Sequence, residues 1–540
     1  MRCVAFVALT LACLAGCARP AQPGEGGRHP WTIPHVLRIA DISDPDHLNP
    51  YLSEMDISYD VSSLIYSYLV VADDGGNLIG DLATGVPSLR NGGISADGRT
   101  YVYHLRRGVK WQDGQPFTAR DVVESWKAVM DPRNNTFEHE GYDRVAAIAT
   151  PDPYTVVVRL RERYPPFVSR FFAPLQEGGK PILPAHVLAR EQSFNSGELS
   201  SRPIGTGPFR FVSWDRGDRI VLERNDAYFR GRPKLARIEL RFIPDDQTIA
   251  TEMAAHRIDL TVVGQTSLLQ TYRSIEGVTV ETFPWNSQAA LMINCSKPIL
   301  GDVTVRRALA LSVPYGDILS KVTYGIYEPP RNSLPATAIG YVALPARRLD
   351  IAAANRLLDA DGWHRGPDGI RTRGGSRLAL TLTTIAGATN FERAGVLLQA
   401  SLRAAGIDLA IKTYPYRTIF AVPNGPVYGG GYDIALYSNT VNWDPDIYNF
   451  TACDRWYPAG QNLFRFCDPQ LDRLERAGLQ SDDPNVRAPV YRAASRLIWS
   501  DTYYVPIYVA RRLVVRSGDL RQYRPNMTST PWWNAWQWDI

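Results

Sequence analysis

The residue types that most often perform chemistry in enzymes form no known catalytic pattern in this sequence. The motifs of serine hydrolases (GxSxG), zinc proteases (HExxH) and phosphate-binding loops (GxxxxGK[ST]) do not occur. Gly205-Thr206-Gly207 lacks the third glycine of a dinucleotide-binding loop. The eight histidines are scattered, and no Cys and His cluster has metal-site spacing. We therefore expect a protein that is not an enzyme and that uses no metal or cofactor.

The cysteines in the body of the chain are compatible with an oxidising compartment. Cys453 and Cys467 are close in sequence, and a disulfide between them would close a short loop. The chain-entropy model gives about 3 kcal/mol for such a crosslink. Cys295 then has no disulfide partner, and a lone cysteine of this kind is usually a buried apolar residue. Because disulfides persist outside the cytosol, these residues agree with an extracytoplasmic protein, and the Cys453–Cys467 bridge is a hypothesis.

Residues 1–17 have the layout of a bacterial lipoprotein signal peptide. Arg2 gives a positive start, residues 4–16 form an apolar run, and Leu14-Ala15-Gly16-Cys17 resembles a lipobox, whose Cys becomes the lipidated first residue. The run is shorter than the ~20 residues that span a bilayer. Residues 18–34 are rich in Gly, Pro and polar residues, which predicts a flexible tether. An uncleaved anchor or a buried strand is the alternative interpretation of the run.

The composition indicates a large globular body. The chain has 540 residues, of which 45% are hydrophobic and 21% charged. That length exceeds what one hydrophobic core normally organises, about 250–300 residues, so at least two lobes are expected. The net charge of +4 is dispersed along the chain. Since nucleic-acid binding requires a basic patch or stripe, we expect no nucleic-acid partner.

Apolar periodicity predicts alternating helices and strands. Thr118 is a candidate N-cap, with Asp121 three residues later, for a helix that runs to Met130. A helix over 392–404 between strands over 378–384 and 407–413 is a βαβ unit, which favours a parallel sheet. Further strands are predicted over 36–42, 100–105, 155–160, 220–223 and 238–242, and further helices over 59–70, 302–312 and 351–360.

A series of short motifs in a fixed order then resembles a known family. The longest block contains Arg107-Gly108-Val109-Lys110-Trp111-Gln112-Asp113-Gly114 and Phe117-Thr118-Ala119-Arg120-Asp121. Others are Leu48-Asn49-Pro50, Gly205-Thr206-Gly207-Pro208-Phe209, Asn225-Asp226-Ala227-Tyr228-Phe229 and Arg306-Arg307-Ala308-Leu309. Together they resemble the family 5, peptide-type and nickel-type, extracellular solute-binding proteins of ABC importers. The resemblance extends from about Leu37 to the C-terminus.

This resemblance implies an α/β, two-lobe periplasmic-binding-protein fold of the large type II cluster. An extra subdomain is inserted in the first lobe, and the ligand cleft lies between the lobes. The implied limits are residues 35–56, 196–276 and 505–540 for lobe I, residues 57–195 for the inserted subdomain and residues 277–504 for lobe II. The implied function is capture of a peptide by a monomer, and its delivery by lobe closure to an ABC permease with its ATPase.

The resemblance also implies where ligand is bound. The candidates are the loop around Glu54, Met55 and Asp56, then Tyr416, and the segment containing Tyr437, Asn439, Asn442, Trp443 and Asp444. Core packing is the alternative for the two tyrosines, and turn capping for Asp444 and Asp446.

Peptide-binding members place in the last segment an Asp that pairs with the ligand's α-ammonium group. Neutral Asn442 occupies that position here, and a shift of two residues puts Asp444 there instead. Because this departs from the peptide-binding pattern, other solutes of the fold remain open: sugars, opines, haem and metal complexes. A surface sensor without a permease is a further alternative, and a secreted hydrolase is the least favoured.

Overall fold

The computed structural model describes residues 27–540 apart from residues 54, 137, 175–178, 192, 441–443 and 527–529. The predicted signal peptide with Cys17 lies outside the described residues, as do Glu54, Asn442 and Trp443. Within the described part of the chain, no helix is both long enough and apolar enough to cross a membrane.

The strands alternate with helices along the chain, as the sequence predicts. They are Val36–Asp41 (β1), Val70–Ala72 (β2), Leu78–Gly80 (β3), Thr100–His104 (β4), Val145–Asp152 (β5), Thr155–Leu160 (β6), Phe209–Asp215 (β7), Arg219–Arg224 (β8), Arg237–Phe242 (β9), Leu260–Val263 (β10), Val278–Ile293 (β11), His364–Arg365 (β12), Arg371–Arg373 (β13), Ser376–Arg377 (β14), Ala379–Ile385 (β15), Asp408–Tyr414 (β16), Ile434–Thr440 (β17) and Tyr504–Ser517 (β18).

The helices range from single turns to five turns. They are Asp56–Ile65 (α1), Ala119–Met130 (α2), Phe167–Arg170 (α3), Ala185–Leu188 (α4), Asp246–Ala254 (α5), Leu269–Arg273 (α6), Val303–Leu311 (α7), Tyr315–Asp317 (α8), Ile351–Ala360 (α9), Thr389–Ala404 (α10), Tyr416–Ile419 (α11), Tyr448–Thr451 (α12), Pro469–Gly478 (α13) and Pro484–Asp501 (α14). Short 3₁₀ turns lie at Glu198–Ser200, Thr266–Leu268 and Ala535–Gln537, and a π turn at Ile318–Val322.

Ten of these strands form one large mixed sheet in the order β16-β15-β17-β11-β18-β10-β1-β9-β8-β7. In the first lobe, β1 pairs in parallel with β9 and β10. In the second lobe, β15 pairs in parallel with β16 and β17, so the predicted βαβ unit is present. The inserted residues add two small antiparallel sheets, β2-β3 and β4-β6-β5. The predicted two-lobe α/β fold is confirmed.

Two long strands, β11 and β18, run through both lobes and pair with each other in antiparallel orientation. Their register shifts between Pro284 and Gln288, where the chain passes from one lobe to the other. Beyond this point Ala289, Leu291 and Ile293 pack into one hydrophobic core, while Ala290 and Met292 pack into another on the opposite face. Both faces of the second-lobe sheet are therefore covered, which explains the continuous apolar run of this strand.

Several local motifs adopt the conformations that their residues predict. The Thr118 N–H donates to the Asp121 carboxylate at 2.7 Å in a capping box at the start of α2. Asp302 caps α7 by accepting from the Thr304 N–H at 2.9 Å. Gly114 has a φ of 92° at the tight turn that follows Trp111, a conformation for which glycine is favoured.

Part of the predicted tether is packed against the first lobe. The His29 N–H and the Thr32 hydroxyl both donate to the Asp519 carboxylate, at 2.8 and 2.5 Å. The Trp31 ring stacks on His256 with their centroids 3.8 Å apart. The folded body therefore extends toward the N-terminus beyond residue 35, because these polar and aromatic contacts fix residues that composition alone assigns to a flexible segment.

Candidate ligand site between the lobes

Helix α1 presents its polar residues on one face. Asp56, Tyr59 and Asp60 are three and four residues apart, and this spacing places side chains on the same side of a helix. Two carboxylates at this separation repel each other, so the arrangement requires a positive partner or a partly protonated state. Met55 precedes the helix as its N-cap residue, and its carbonyl oxygen accepts from the Ser58 N–H at 3.0 Å.

The family motifs fix the other end of this helix. The Ile65 carbonyl oxygen accepts from the Gly207 N–H at 2.8 Å and from Gln112 Nε2 at 3.2 Å. A Cβ atom on Gly205 would lie 1.8 Å from that same oxygen, so the loop approaches the helix as closely as it does only because it lacks a side chain there. The Gln112 side chain also donates to the Phe209 carbonyl at 2.8 Å, which ties the turn and the loop together.

A cavity of about 490 Å³, counted with its part open to solvent, lies between α1 and the crossing strands. Trp285 of β11 and Arg512 of β18 line it on one side, and Asp56 and Asp60 on the other. Thr440, at the end of β17, contributes from the second lobe. The cavity thus has walls from both lobes, as a ligand cleft requires.

Carboxylates outnumber cationic groups around this cavity in the described part of the chain. Arg512 Nη2 lies 3.9 Å from Asp56 Oδ2, and its guanidinium carbon lies 4.7 Å from the centroid of the Trp285 ring. Burial raises the pKa of Asp60 to about 7, against the opposing effects of Arg512 and a hydrogen bond from Thr530. Burial also raises the pKa of neighbouring Asp41 to about 6. A positively charged ligand group would stabilise the ionised form of these carboxylates.

The two sides of the cleft touch beyond the cavity. The Tyr101 hydroxyl of the inserted subdomain donates to Asp482 Oδ1 at 3.1 Å, and Arg163 Nε lies 3.4 Å from Asp482 Oδ2. Asp446 is also influenced by this subdomain: burial, the neighbouring Asp444 carboxylate and Glu140 across the contact together raise its pKa to about 6. These contacts hold the inserted subdomain against the second lobe.

The structure pairs Asp444 with a partner that sequence reasoning did not consider. Its carboxylate accepts from Arg487 Nη1 at 2.6 Å and from Nη2 at 2.7 Å, and the side chains are 4% and 3% exposed. Among the described residues, Asp444 is not one that lines the cavity. Because both of its oxygens already bind a guanidinium group, we do not assign it the role of ammonium partner that the shift of two residues would give it.

The other sequence-predicted residues are dispersed around the second lobe. Tyr437 is buried in a core, with its ring centroid 5.0 Å from that of Phe420. Tyr416 is 65% exposed in α11 and contacts the same phenylalanine, with the centroids 5.1 Å apart. The Asn439 side-chain amide donates to the sulfur of Met292 at 3.6 Å. Only Asp56 of the described candidates lines the cavity.

Sequence reasoning missed the residues that the crossing strands bring to the cavity. Arg512 lies opposite Phe283 of β11 in a largely buried strand that also contains Arg511 and Arg516, so its charge alone does not distinguish it. Asp60 lies in the predicted helix over 59–70, but Asp56 was assigned to the preceding loop, so the spacing that places both carboxylates on one helix face was not recognised. Trp285 has no distinguishing local pattern, since its position depends on how the strands cross.

The cysteines of the second lobe are paired as hypothesised. Cys453 and Cys467 form a disulfide with a Cα–Cα distance of 4.6 Å, while Cys295 is a free thiol that is partly buried. Within the described residues, no group of three or more His, Cys, Asp or Glu side chains is placed to hold a metal ion.

Comparison with known proteins identifies the family. Residues 77–458 match the model of the bacterial extracellular solute-binding proteins, family 5 (middle part), which covers more than half of the chain. The protein therefore belongs to family 5 of these solute-binding proteins, which are binding components of ABC importers and not enzymes. It is 28% identical over 503 residues to protein XP55 of Streptomyces lividans, which covers 93% of this chain and 87% of that protein.

Solved structures of relatives share the fold. The oligopeptide-binding protein AppA of Bacillus subtilis, in complex with a nonapeptide, superposes with a TM-score of 0.76 at 23% identity, covering 93% of this chain and 98% of that one. NikA of Brucella suis, in complex with Fe(III)-EDTA, superposes with a TM-score of 0.81 at 22% identity, covering 93% of this chain and 99% of that one. At these identities the likeness defines the fold, while the bound solutes differ.

Proposed function

We propose that this protein captures a peptide with a free amino terminus in the cleft between its lobes and delivers it to an ABC permease by lobe closure. The observation that supports the peptide assignment is the excess of carboxylates at the cavity, with Asp56 and Asp60 on one face of α1. The named ligand of AppA, a nonapeptide, agrees with this proposal. We also propose the lobe limits given above, with the crossings between the lobes moved into β11, near Pro284 to Gln288, and into the part of β18 that pairs with it.

In this proposal Asp60 binds the ligand's ammonium group, and Asp56 assists. A peptide enclosed between lobes loses water, so its ammonium group needs a carboxylate partner. Removing one partner of a buried charge pair costs about 3–5 kcal/mol, which corresponds to about two to three powers of ten in affinity. Burial disfavours the ionised form of Asp60, as its raised pKa shows, so Asp60→Asn should leave the fold intact and act on binding.

The test compares free-amine and N-acetylated peptides on three proteins: wild type, Asp60→Asn and the control Asp218→Asn, whose side chain is 52% exposed on the surface. Native mass spectrometry with a defined mixture of short, lysine-free peptides identifies a ligand, and calorimetry then measures its affinity. Acetylation should weaken binding to wild type and to the control by about two to three powers of ten, but weaken binding to Asp60→Asn little.

Equal losses on acetylation in all three proteins would remove Asp60 as the ammonium partner. If no free-amine peptide binds wild type, the peptide assignment itself fails.

We further propose that the protein is attached to the extracytoplasmic side of a membrane through lipid on Cys17. The lipobox resemblance of Leu14-Ala15-Gly16-Cys17 supports this. Cys17→Ala should release the protein from the membrane fraction, and a variant that stays with the membrane would show that a different anchor is used.

A further inference from the structure

A second cavity adjoins the proposed ligand cleft on the side of the first lobe. Its volume is about 370 Å³, counted with its part open to solvent. Tyr68, Pro174 and Thr530 line both this cavity and the interlobe cavity. The two cavities therefore adjoin at these shared residues, and a ligand in the cleft lies beside the second cavity.

The second cavity contains polar atoms that lack partners within the described part of the chain. The Tyr66 hydroxyl has no hydrogen-bond partner there, although its side chain is only 2% exposed. Arg230 Nε is likewise buried without a partner. A buried polar group without a hydrogen bond costs stability, so its persistence beside a cavity calls for an explanation. A ligand oxygen that accepts from the Tyr66 hydroxyl and from the Arg230 N–H would satisfy both groups.

The charged side chains that line the cavity favour a neutral ligand group. Arg230 Nη2 lies 2.8 Å from Asp81 Oδ1, and the two side chains are 14% and 7% exposed, so the guanidinium charge is already balanced. A carboxylate entering here would add an uncompensated buried charge, which is strongly unfavourable. A neutral hydroxyl group has no such penalty.

The walls of the cavity favour an aromatic ring. Tyr228, Trp533 and Trp536 line it, and the rings of Tyr228 and Trp536 are 6.0 Å apart between centroids. The Arg230 guanidinium carbon lies 5.1 Å from the centroid of Trp536, which fixes the orientation of that ring. Aromatic rings gain additional stabilisation from offset or edge-on contacts with one another.

We propose that this second cavity is a specificity subsite that accepts a phenolic side chain of the ligand, with the Tyr66 hydroxyl as its hydrogen-bond partner. This inference rests on the proposed peptide-binding function and names the side chain that the bound peptide presents. A tyrosine side chain supplies an aromatic ring and a neutral oxygen atom, whereas phenylalanine lacks the oxygen.

The test uses tripeptides that contain one tyrosine or one phenylalanine, at each position in turn, in an alanine background. Calorimetry measures the affinity of wild type for each peptide. At one of the positions, wild type should bind the tyrosine peptide about fivefold to tenfold more tightly than the phenylalanine peptide, as expected for one hydrogen bond. Tyr66→Phe should abolish this preference. Its unfolding midpoint should be unchanged or raised, because the deleted hydroxyl is unsatisfied in the unliganded protein.

Tyr103→Phe is the matched control. Its hydroxyl is also buried without a partner among the described residues, its side chain is 0% exposed, and it lines neither cavity. This control should retain the preference for tyrosine. The inference is overturned if wild type binds peptides but does not prefer tyrosine to phenylalanine at any position. It is also overturned if Tyr66→Phe keeps the preference for tyrosine, or if that variant loses equal affinity for both peptides.

A second measurement separates this inference from the proposed function. If no peptide binds, the peptide assignment fails, and saturation-transfer NMR with p-cresol and toluene then decides the subsite. Preferential binding of p-cresol to wild type and Tyr103→Phe, but not to Tyr66→Phe, supports the phenolic subsite. Equal signals from the two compounds in all three proteins overturn it.

Discussion

The buried pair of Asp444 and Arg487 makes a quantitative prediction about the second lobe. The pair is bidentate, and the side chains are 4% and 3% exposed. Arg487 Nε also donates to the Gly478 carbonyl at 2.8 Å, and Nη2 to the Tyr491 hydroxyl at 3.0 Å. The pair therefore fastens the chain that follows β17 to α13 and α14, and every side-chain nitrogen of the arginine is engaged.

Asp444→Asn keeps the size of the side chain but leaves the Arg487 charge buried without a carboxylate. The expected loss in the free energy of unfolding is about 3–5 kcal/mol, since removing one partner leaves the other charge buried and unpaired. The double variant Asp444→Leu with Arg487→Met removes both charges and should recover most of this loss, because an apolar pair of similar volume avoids the cost of desolvation.

Urea unfolding monitored by circular dichroism measures these differences. The control is Glu223→Gln, which breaks the cross-strand pair with Arg210, where the side chains are 44% and 57% exposed. Such a surface pair contributes only about 0–1 kcal/mol. The reasoning is refuted if Asp444→Asn is no less stable than this control. A variant of unchanged stability with a large loss of peptide affinity would instead restore Asp444 as the ammonium partner.

Three further predictions concern the cleft, the disulfide and the loop beside α1. Because Asp60 has a pKa of about 7, its ionised fraction rises with pH, and affinity for a free-amine peptide should increase about fivefold from pH 6 to pH 7, with no such change for the acetylated peptide. Calorimetry at both pH values checks this. Reducing the Cys453–Cys467 bridge, whose sequence separation is 14, should lower the free energy of unfolding by about 3 kcal/mol; an unchanged urea midpoint in reductant would contradict it. Gly205→Ala places a Cβ atom 1.8 Å from a carbonyl oxygen at the end of α1 and should cost about 1–3 kcal/mol or more. Gly264→Ala, with no atom within 4 Å of the added Cβ, should be nearly neutral in the same thermal unfolding assay.

The elements that the sequence predicts well are those whose limits are set by local residues. The helix after Thr118 begins at its capping box and ends at Met130 as predicted, and the βαβ unit built around α10 is parallel. In contrast, apolar periodicity predicts a helix over 59–70, whereas α1 spans Asp56–Ile65 and Val70 begins a strand. The helix ends early because Gly207 and Gln112 bind its last carbonyl group, and residues this distant in sequence leave no local pattern.

The ligand site was less predictable than the fold because its walls come from segments that only tertiary structure brings together. Asp56 was expected at the site by resemblance and does line the cavity. Asp444 had the residue type that the resemblance required, but its charge is used inside the lobe by an arginine from α14. A carboxylate near the expected position in sequence therefore did not identify the carboxylates that line the cavity.

The shared motifs and the ligand-facing residues act on the same helix from different sides. Gly205, Gly207 and Gln112 fix the end of α1 through backbone contacts that any family member with these residues can make. Asp56 and Asp60 project from the helix that these contacts orient, and their side chains can change without disturbing them. The motifs can therefore persist while the solute changes, which is why they identify the family and not the ligand.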